Sequence, residues 1–263
     1  MSTPRPVTES GDHPPSRRER FRQATIDEIK RTARAQMADE GPAGLSLRAV
    51  ARAMNITPSA LYRYFQGIDD LITALCVDAY NALADAVGTS VATVDERDPA
   101  DHAARWWAFA RGMREWAIAN PADFALIYGT PLPGYEAPSE ETRPAGLRFT
   151  GTALRILSDA VDAGAIDLDT ALIQHRPTIS DDLSAALDAA GIFSDRRGIA
   201  ILLGAWTILQ GHLTLELFGH FEWLHVEADV LFDEHVRAMM LTMGFDRAAA
   251  APPRQSPSAT PPR

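Results

Sequence analysis

One cysteine, Cys76, stands in 263 residues. No intramolecular disulfide can form, which fits a reducing cytoplasm. The N-terminus lacks an apolar h-region, so no signal peptide is read there. The longest apolar run, 199–209, is interrupted by Gly204 and Thr207 and is too short to cross a membrane. Strand alternation, internal repeats and heptad runs are also missing, and the remaining pattern is all-α. No GxSxG, P-loop or HExxH occurs, and one cysteine cannot make a CxxC. The sequence therefore names no catalytic residue, no cofactor and no metal, and a non-enzyme is expected. Asp181 and Asp182 read as a helix-start cap rather than paired acids. Lysine is almost absent: Lys30 is the only one among 25 cationic residues.

What is present centres on residues 46–71, SLRAVARAMNITPSALYRYFQGIDDL. Ser46 is placed to N-cap a helix. Leu47, Val50, Ala51 and Met54 recur at helical spacing and give it one apolar face, with Arg48 and Arg52 off that face. Asn55 suits the left-handed residue that ends a helix. Thr57 is a second N-cap, and Pro58 follows at the first helical position, where its missing N–H costs nothing. A helix over 58–64 turns Leu61 inward, and Phe65 follows it four residues on. It leaves Ser59, Ala60, Tyr62, Arg63 and Tyr64 on or near the outer face. Two helices this short need a third across them, because isolated helices below roughly 12–15 residues are marginal in water. Ile26, Ile29, Ala33 and Met37 form the matching stripe, ending at Gly41.

This stretch resembles the DNA-binding domain of the TetR family of bacterial transcriptional regulators. The matching residues are Ile29, Ala33, Met37 and Gly41, then Leu47, Val50 and Ala51, then Leu61-Tyr62-x-Tyr64-Phe65 and Leu71. The match covers about 22–75. One departure stands out: the family usually has Lys three residues after this Phe, and here that position is Ile68, followed by Asp69 and Asp70. The acids suit a helix N-terminus and do not suit phosphate.

Charge is divided along the chain. Residues 1–67 hold 11 Lys+Arg against 7 Asp+Glu, a net of +4, and the remainder holds 14 against 28, a net of −14. The basic pole coincides with the helix-turn-helix, so the acidic body is held away from phosphate. The expected organisation is a disordered arm at 1–16, a DNA-binding domain at 17–68, a helical ligand-binding and dimerisation domain at 69–245, and a disordered tail at 246–263. Arg17, Arg18, Arg20 and Arg22 enter the first helix, either as a solvated helix start or as a phosphate-touching arm.

In the body, a helix over about 69–86 is followed by a loop over 88–98. Aromatic residues concentrate between Trp106 and Phe149, and the Pro-rich stretch 129–144 reads as a loop beside them. Plain core packing is one reading. The other is an apolar cavity for a small apolar or aromatic molecule, lined by Trp106, Trp107, Phe109, Met113, Trp116, Phe124, Tyr128, Phe149 and Trp206. The segment 206–221 resembles the C-terminal domain of a TetR subgroup named for a Trp-His-Gly pattern, with Gln210-Gly211 where His-Gly is expected. That resemblance implies a four-helix dimer bundle, for which Leu209, Leu213, Leu215, Phe218, Val230, Val236 and Met240 supply the apolar seam. His212, Glu216 and His220 lie at i, i+4 and i+8. Stacked on one face, they could hold a metal, although Gly219 can end the helix before His220 aligns.

The resemblance implies a cytoplasmic, ligand-responsive repressor. It acts as a homodimer on a palindromic operator in double-stranded DNA. Pro58, Ser59 and Ala60 face bases; Thr57, Tyr62 and Tyr64 meet phosphates; Arg48 and Arg63 add charge. The alternative is a small-molecule-binding helical protein or enzyme with a vestigial DNA-binding unit.

Overall fold

The computed structural model describes residues 16–189, 195–225 and 227–252. The expected disordered arm, apart from Ser16, lies outside the described residues, as do 253–263 of the expected tail. Among the described residues the chain is all-α, with one isolated bridge between Ile166 and Phe245. It divides into two units, 1–71 and 72–263.

Among its described residues the first unit holds three α-helices ahead of the start of a fourth. Helix α1, Arg17–Glu40, starts in a capping box: Ser16 Oγ accepts from the Glu19 N–H, and Glu19 accepts from the Ser16 N–H at 2.7 Å. It ends at Gly41, whose φ of 74° favours glycine. Ile29, Ala33 and Met37 form its buried stripe. Helix α2, Leu47–Ala53, buries Leu47, Val50 and Ala51 against that stripe. Ser46 makes no side-chain cap, contrary to expectation. The Gln36 side chain does the joining instead: its amide accepts from the Ser46 N–H at 3.2 Å and donates to the Gly44 carbonyl at 3.0 Å. Asn55 takes the left-handed φ of 55°, and the Ile56 N–H reaches back to the Ala51 carbonyl at 3.0 Å, closing α2 as a Schellman-type end. Helix α3 is shorter than the sequence suggests, Pro58–Leu61, with a turn over 62–64. Leu61 is fully buried and Phe65 nearly so, which leaves the polar side outward.

Helix α4, Ile68–Asp95, continues through most of the expected loop at 88–98. Gly88 stays helical because Leu83, Val87 and Val91 continue the buried stripe on both sides of it. Helix α5, His102–Ala119, is capped by Asp101 and crosses α4 closely at Gly112, where a Cβ would lie 2.6 Å from Ser90 Oγ. Then come α6, Pro121–Tyr128, and α7, Ser139–Asp162. Pro144 lies inside α7, so the expected loop ends sooner, before Ser139. Helix α8, Asp181–Ala189, starts at Ser180, whose hydroxyl accepts from the Leu183 N–H. Helices α9, Arg197–Leu217, and α10, Ala228–Met243, pack against each other.

The core of the second unit is continuous from Ala79 to Ala250. Ala250 is fully buried, so packed structure extends past the expected boundary at 245. Buried Arg105 bridges three elements: Nε lies 2.9 Å from Asp95 Oδ1, a charge contact without hydrogen-bond alignment, and Nη1 donates to Asp159 at 2.9 Å. Helices α4 and α9 each have the length and hydropathy of a membrane crossing, which counting uninterrupted apolar runs overlooked. Both carry fully buried residues, such as Leu75, Leu83 and Leu213, turned onto protein rather than outward.

Candidate DNA-reading surface and ligand cavity

The outer side of α3 gathers the residues expected to meet DNA. Arg48, Thr57, Pro58, Ser59, Tyr62 and Arg63 are exposed, and Ala60 and Tyr64 are half-buried. Thr57 Oγ1 accepts from the Ala60 N–H at 3.3 Å and lies 3.0 Å from Ser59 Oγ, so both hydroxyls are held at the helix start. The basic entrance to α1 is brought to this surface. The Arg22 guanidinium lies 5.7 Å from the Tyr64 ring centroid, and Arg17, Arg18, Phe21, Arg22, Arg63 and Tyr64 border one cleft. Sequence reasoning left those arginines between two readings because their distance to Tyr64 is not periodic information. Ile68 is half-buried, and Asp70 accepts from the Gln66 N–H at 2.8 Å. The departure from the family's usual Lys is thus a packed residue and a cap.

The second unit contains an apolar cavity of about 350 Å³, within the range of small-molecule sites. Of the nine residues expected to line it, Trp106, Phe109, Tyr128, Phe149 and Trp206 do. Phe109 stacks between Trp106 and Phe149, with centroids 5.3 Å apart on each side, and Tyr128 meets Trp206 edge-on at 6.3 Å. Trp107, Met113, Trp116 and Phe124 do not line it. They are buried in the core, and Trp107 faces away, under the Arg111 guanidinium at 5.0 Å. Helical periodicity sorted buried from exposed on α5 but could not say which buried neighbour meets empty space. The missed lining includes Tyr80 from α4, Thr142, Arg143, Gly146, Thr150 and Ala153 from α7, and Leu202, Leu203 and Leu209 from α9. Burial pushes the Tyr80 and Tyr128 phenols above their ordinary pKa, so both stay protonated. Tyr135, on the Pro-rich loop, lies with its hydroxyl 3.0 Å from Thr73 Oγ1 and ties that loop to α4.

The expected dimer seam separates into two sets. Leu209, Leu213, Val236 and Met240 are buried within the unit, each at most 2% exposed, and so offer no surface to a second copy. Leu215, Phe218 and Val230 remain exposed, at 44%, 46% and 57%. Leu203 and Trp206 of α9 are exposed as well.

The His–Glu–His arrangement also resolves differently. Helix α9 ends at Leu217, and His220 is exposed beyond it. His235 of α10 takes its place, with Nδ1 2.9 Å from His212 Nδ1. One ring must be neutral there to accept. His212 is buried against Phe221 and Phe232. Its pKa falls to about 4, chiefly through burial, opposed by Glu216 and reinforced by His235 and Arg114. Glu216 lies 3.3 Å from His212 Nε2 and is held by Arg114, Nε at 2.9 Å and Nη2 at 2.6 Å, with Asp229 2.7 Å from the same Arg114. Among the described residues no group of three ligating side chains could hold a metal. Cys76 is buried, and its thiol is pushed up to about 11, mainly by that burial, so it is not a reactive thiolate.

A helix-turn-helix unit with an exposed polar and basic outer side, joined to a helical body with an aromatic cavity, defines a class: a helical DNA-binding regulator. The comparisons make it specific. The profile of bacterial regulatory proteins of the tetR family matches residues 29–75, and that of the tetracyclin repressor-like C-terminal domain matches 106–239. The HTH-type transcriptional regulators Rv1816 of Mycobacterium tuberculosis and Mb1846 of Mycobacterium bovis are each 35% identical to this chain over 216 residues, covering 80% of it and 88% of the relative. The solved structure of SCO4313 superposes with a TM-score of 0.62 at 31% identity, over 86% of this chain and 99% of that one. A protein from Rhodococcus sp. RHA1 shares the fold, with a TM-score of 0.61 at 21% identity over 90% and 100% of the two chains. The chain belongs to the TetR family of transcriptional regulators.

Proposed function

We propose that the chain is a ligand-responsive repressor that binds a palindromic operator as a homodimer in the cytoplasm and is released by a small, largely aromatic molecule. The observation that carries this reading is the aromatic cavity, because Tyr80 of α4 forms part of its wall. That helix begins directly after the reading unit. A ligand that binds better to one position of α4 shifts the protein toward that state, and only by its difference in affinity. Pro58, Ser59 and Ala60 meet base edges in the major groove. Thr57, Tyr62 and Tyr64 bond phosphates, and Arg48, Arg63 and Arg22 add charge. Pairing uses the outward sides of α9 and α10, through Leu215, Phe218 and Val230, and sets the two readers about 34–36 Å apart.

Capture of sheared genomic DNA on the purified protein, followed by sequencing, tests the reading. Salt-sensitive, saturable retention of a discrete fragment is expected, and no retention at low salt overturns it. Tyr62→Phe should weaken binding to operator and random DNA alike. A changed sequence preference with unchanged random-DNA affinity would remove Tyr62 from its phosphate role.

A further inference from the structure

Resting on the cavity as the effector site, we propose that the effector is an aromatic carboxylate, its ring held between the aromatic walls and its anion met by Arg143 at the rim. Two features of the wall select this class. Its inner surface is built of flat rings, with the stacked Trp106, Phe109 and Phe149 on one side and Trp206 meeting Tyr128 elsewhere. Flat walls favour a planar ligand by offset and edge contacts.

The charge of the lining is one-sided. Among the described residues, Arg143 is the only charged one in the lining, and no Asp or Glu borders the cavity. The other polar groups divide by role. Thr142 and Thr150 spend their hydroxyl hydrogens on the Pro138 and Gly146 carbonyls of their own helix turns, each at 2.9 Å. Trp106 Nε1 is a buried donor without a partner among the described residues, and Tyr80 and Tyr128, also in the wall, stay protonated and can donate. A cation plus N–H and O–H donors in the wall suits an acceptor-rich anion. An ammonium ligand would gain from the rings but would meet Arg143 with no carboxylate to offset it. Arg143 is free to change partners: its contact with Glu140 is long, at 3.3 Å, and both side chains are largely in solvent, where such a pair is weak.

The test uses the full-length protein and three ligands sharing one ring system: 2-naphthoate, 2-naphthalenemethanol and 2-naphthylmethylammonium, by isothermal titration calorimetry at pH 7. Naphthoate should bind at least about tenfold more tightly than either of the others, the size of one charge-assisted contact. Arg143→Ala should remove most of that preference and leave the alcohol unchanged. Arg143 is exposed and outside the core, so the variant keeps the fold. Gly146→Phe separates the two layers of the argument. Gly146 lines the cavity, and a Cβ there meets no atom within 4 Å, so a side chain can be added at the wall without a backbone clash. Loss of all binding in Gly146→Phe places the ligands in the cavity. If that holds while the alcohol or the ammonium matches naphthoate, or Arg143→Ala leaves naphthoate unaffected, the carboxylate assignment is overturned and the effector-cavity reading stands. If Gly146→Phe binds every ligand as the parent does, or the parent binds none, both are overturned. Decanoate matching naphthoate would overturn the aromatic part of the assignment.

Discussion

Replacing Glu216 by Gln tests whether the buried polar cluster holds α5, α9 and α10 together. Arg114 and Glu216 form a two-pronged contact at 2.9 and 2.6 Å, with side chains only 15% and 13% exposed. Arg114 also lies over the Phe232 ring at 5.0 Å. Breaking a buried pair by removing one partner costs about 3–5 kcal/mol, because the other charge is left uncompensated. Asp229 remains 2.7 Å from Arg114, but it is largely in solvent and compensates only partly. The expected loss is therefore about 2–3 kcal/mol. For a domain of 150–250 residues each kcal/mol moves Tm by roughly 2–4 °C, giving a drop of roughly 4–12 °C by circular dichroism. Glu140→Gln removes an exposed partner of Arg143 and should leave Tm unchanged. A double change to Arg114→Met and Glu216→Met removes both charges and should recover much of the loss, since an apolar pair of similar volume carries no desolvation cost. A Tm drop under about 2 °C in Glu216→Gln would refute the claim that Arg114 depends on this carboxylate.

The same cluster predicts a pH response. His212 is buried with its pKa lowered to about 4, while the unfolded chain binds its proton near 6.5. Its contribution is full above about 6.5 and is lost as pH falls from there toward 4, because only the unfolded state gains the proton. His212→Leu should narrow the Tm difference between pH 7 and pH 5, and an unchanged difference would exclude His212 as its source. Thr57→Ala removes the hydroxyl that accepts from the Ala60 N–H and should cost about 1 kcal/mol in the first unit, read from denaturant unfolding; Thr57→Ser should restore it.

The reading unit was largely legible because its signals are local. Thr57, Pro58 and Asn55 each act through their own backbone, and the structure finds Thr57 capping and Asn55 at positive φ. Ser46 was misread for the same reason in reverse. A serine before an apolar run can cap, but here its hydroxyl makes no cap; its N–H is held instead by Gln36, ten residues away, a contact no local rule sees. Gly88 shows the limit in the body. Read alone it ends a helix, yet packing on both sides of it carries α4 on to Asp95.

Helix α9 explains why the remaining residues were the hardest to place. It is apolar on more than one side, so periodicity marks many positions without distinguishing what each side meets. Leu213 goes to the core, Leu209 to the core and the cavity together, and Leu215 and Phe218 stay outward. An amphipathic helix with a single partner declares its buried face by a polar one opposite. Here the outward side itself carries Leu215 and Phe218, so no polar face declares the buried one. The cavity residues Leu203 and Trp206 of α9 are also exposed, at 53% and 43%. A partner seated along α9 would reach the cavity mouth. Under the proposed function, effector affinity should therefore depend on the fraction of protein paired, and a change at Phe218 that weakens pairing should weaken effector binding without touching the cavity wall. Unchanged affinity in such a monomeric variant, measured by calorimetry at matched protomer concentration, would show the mouth to be complete within one chain.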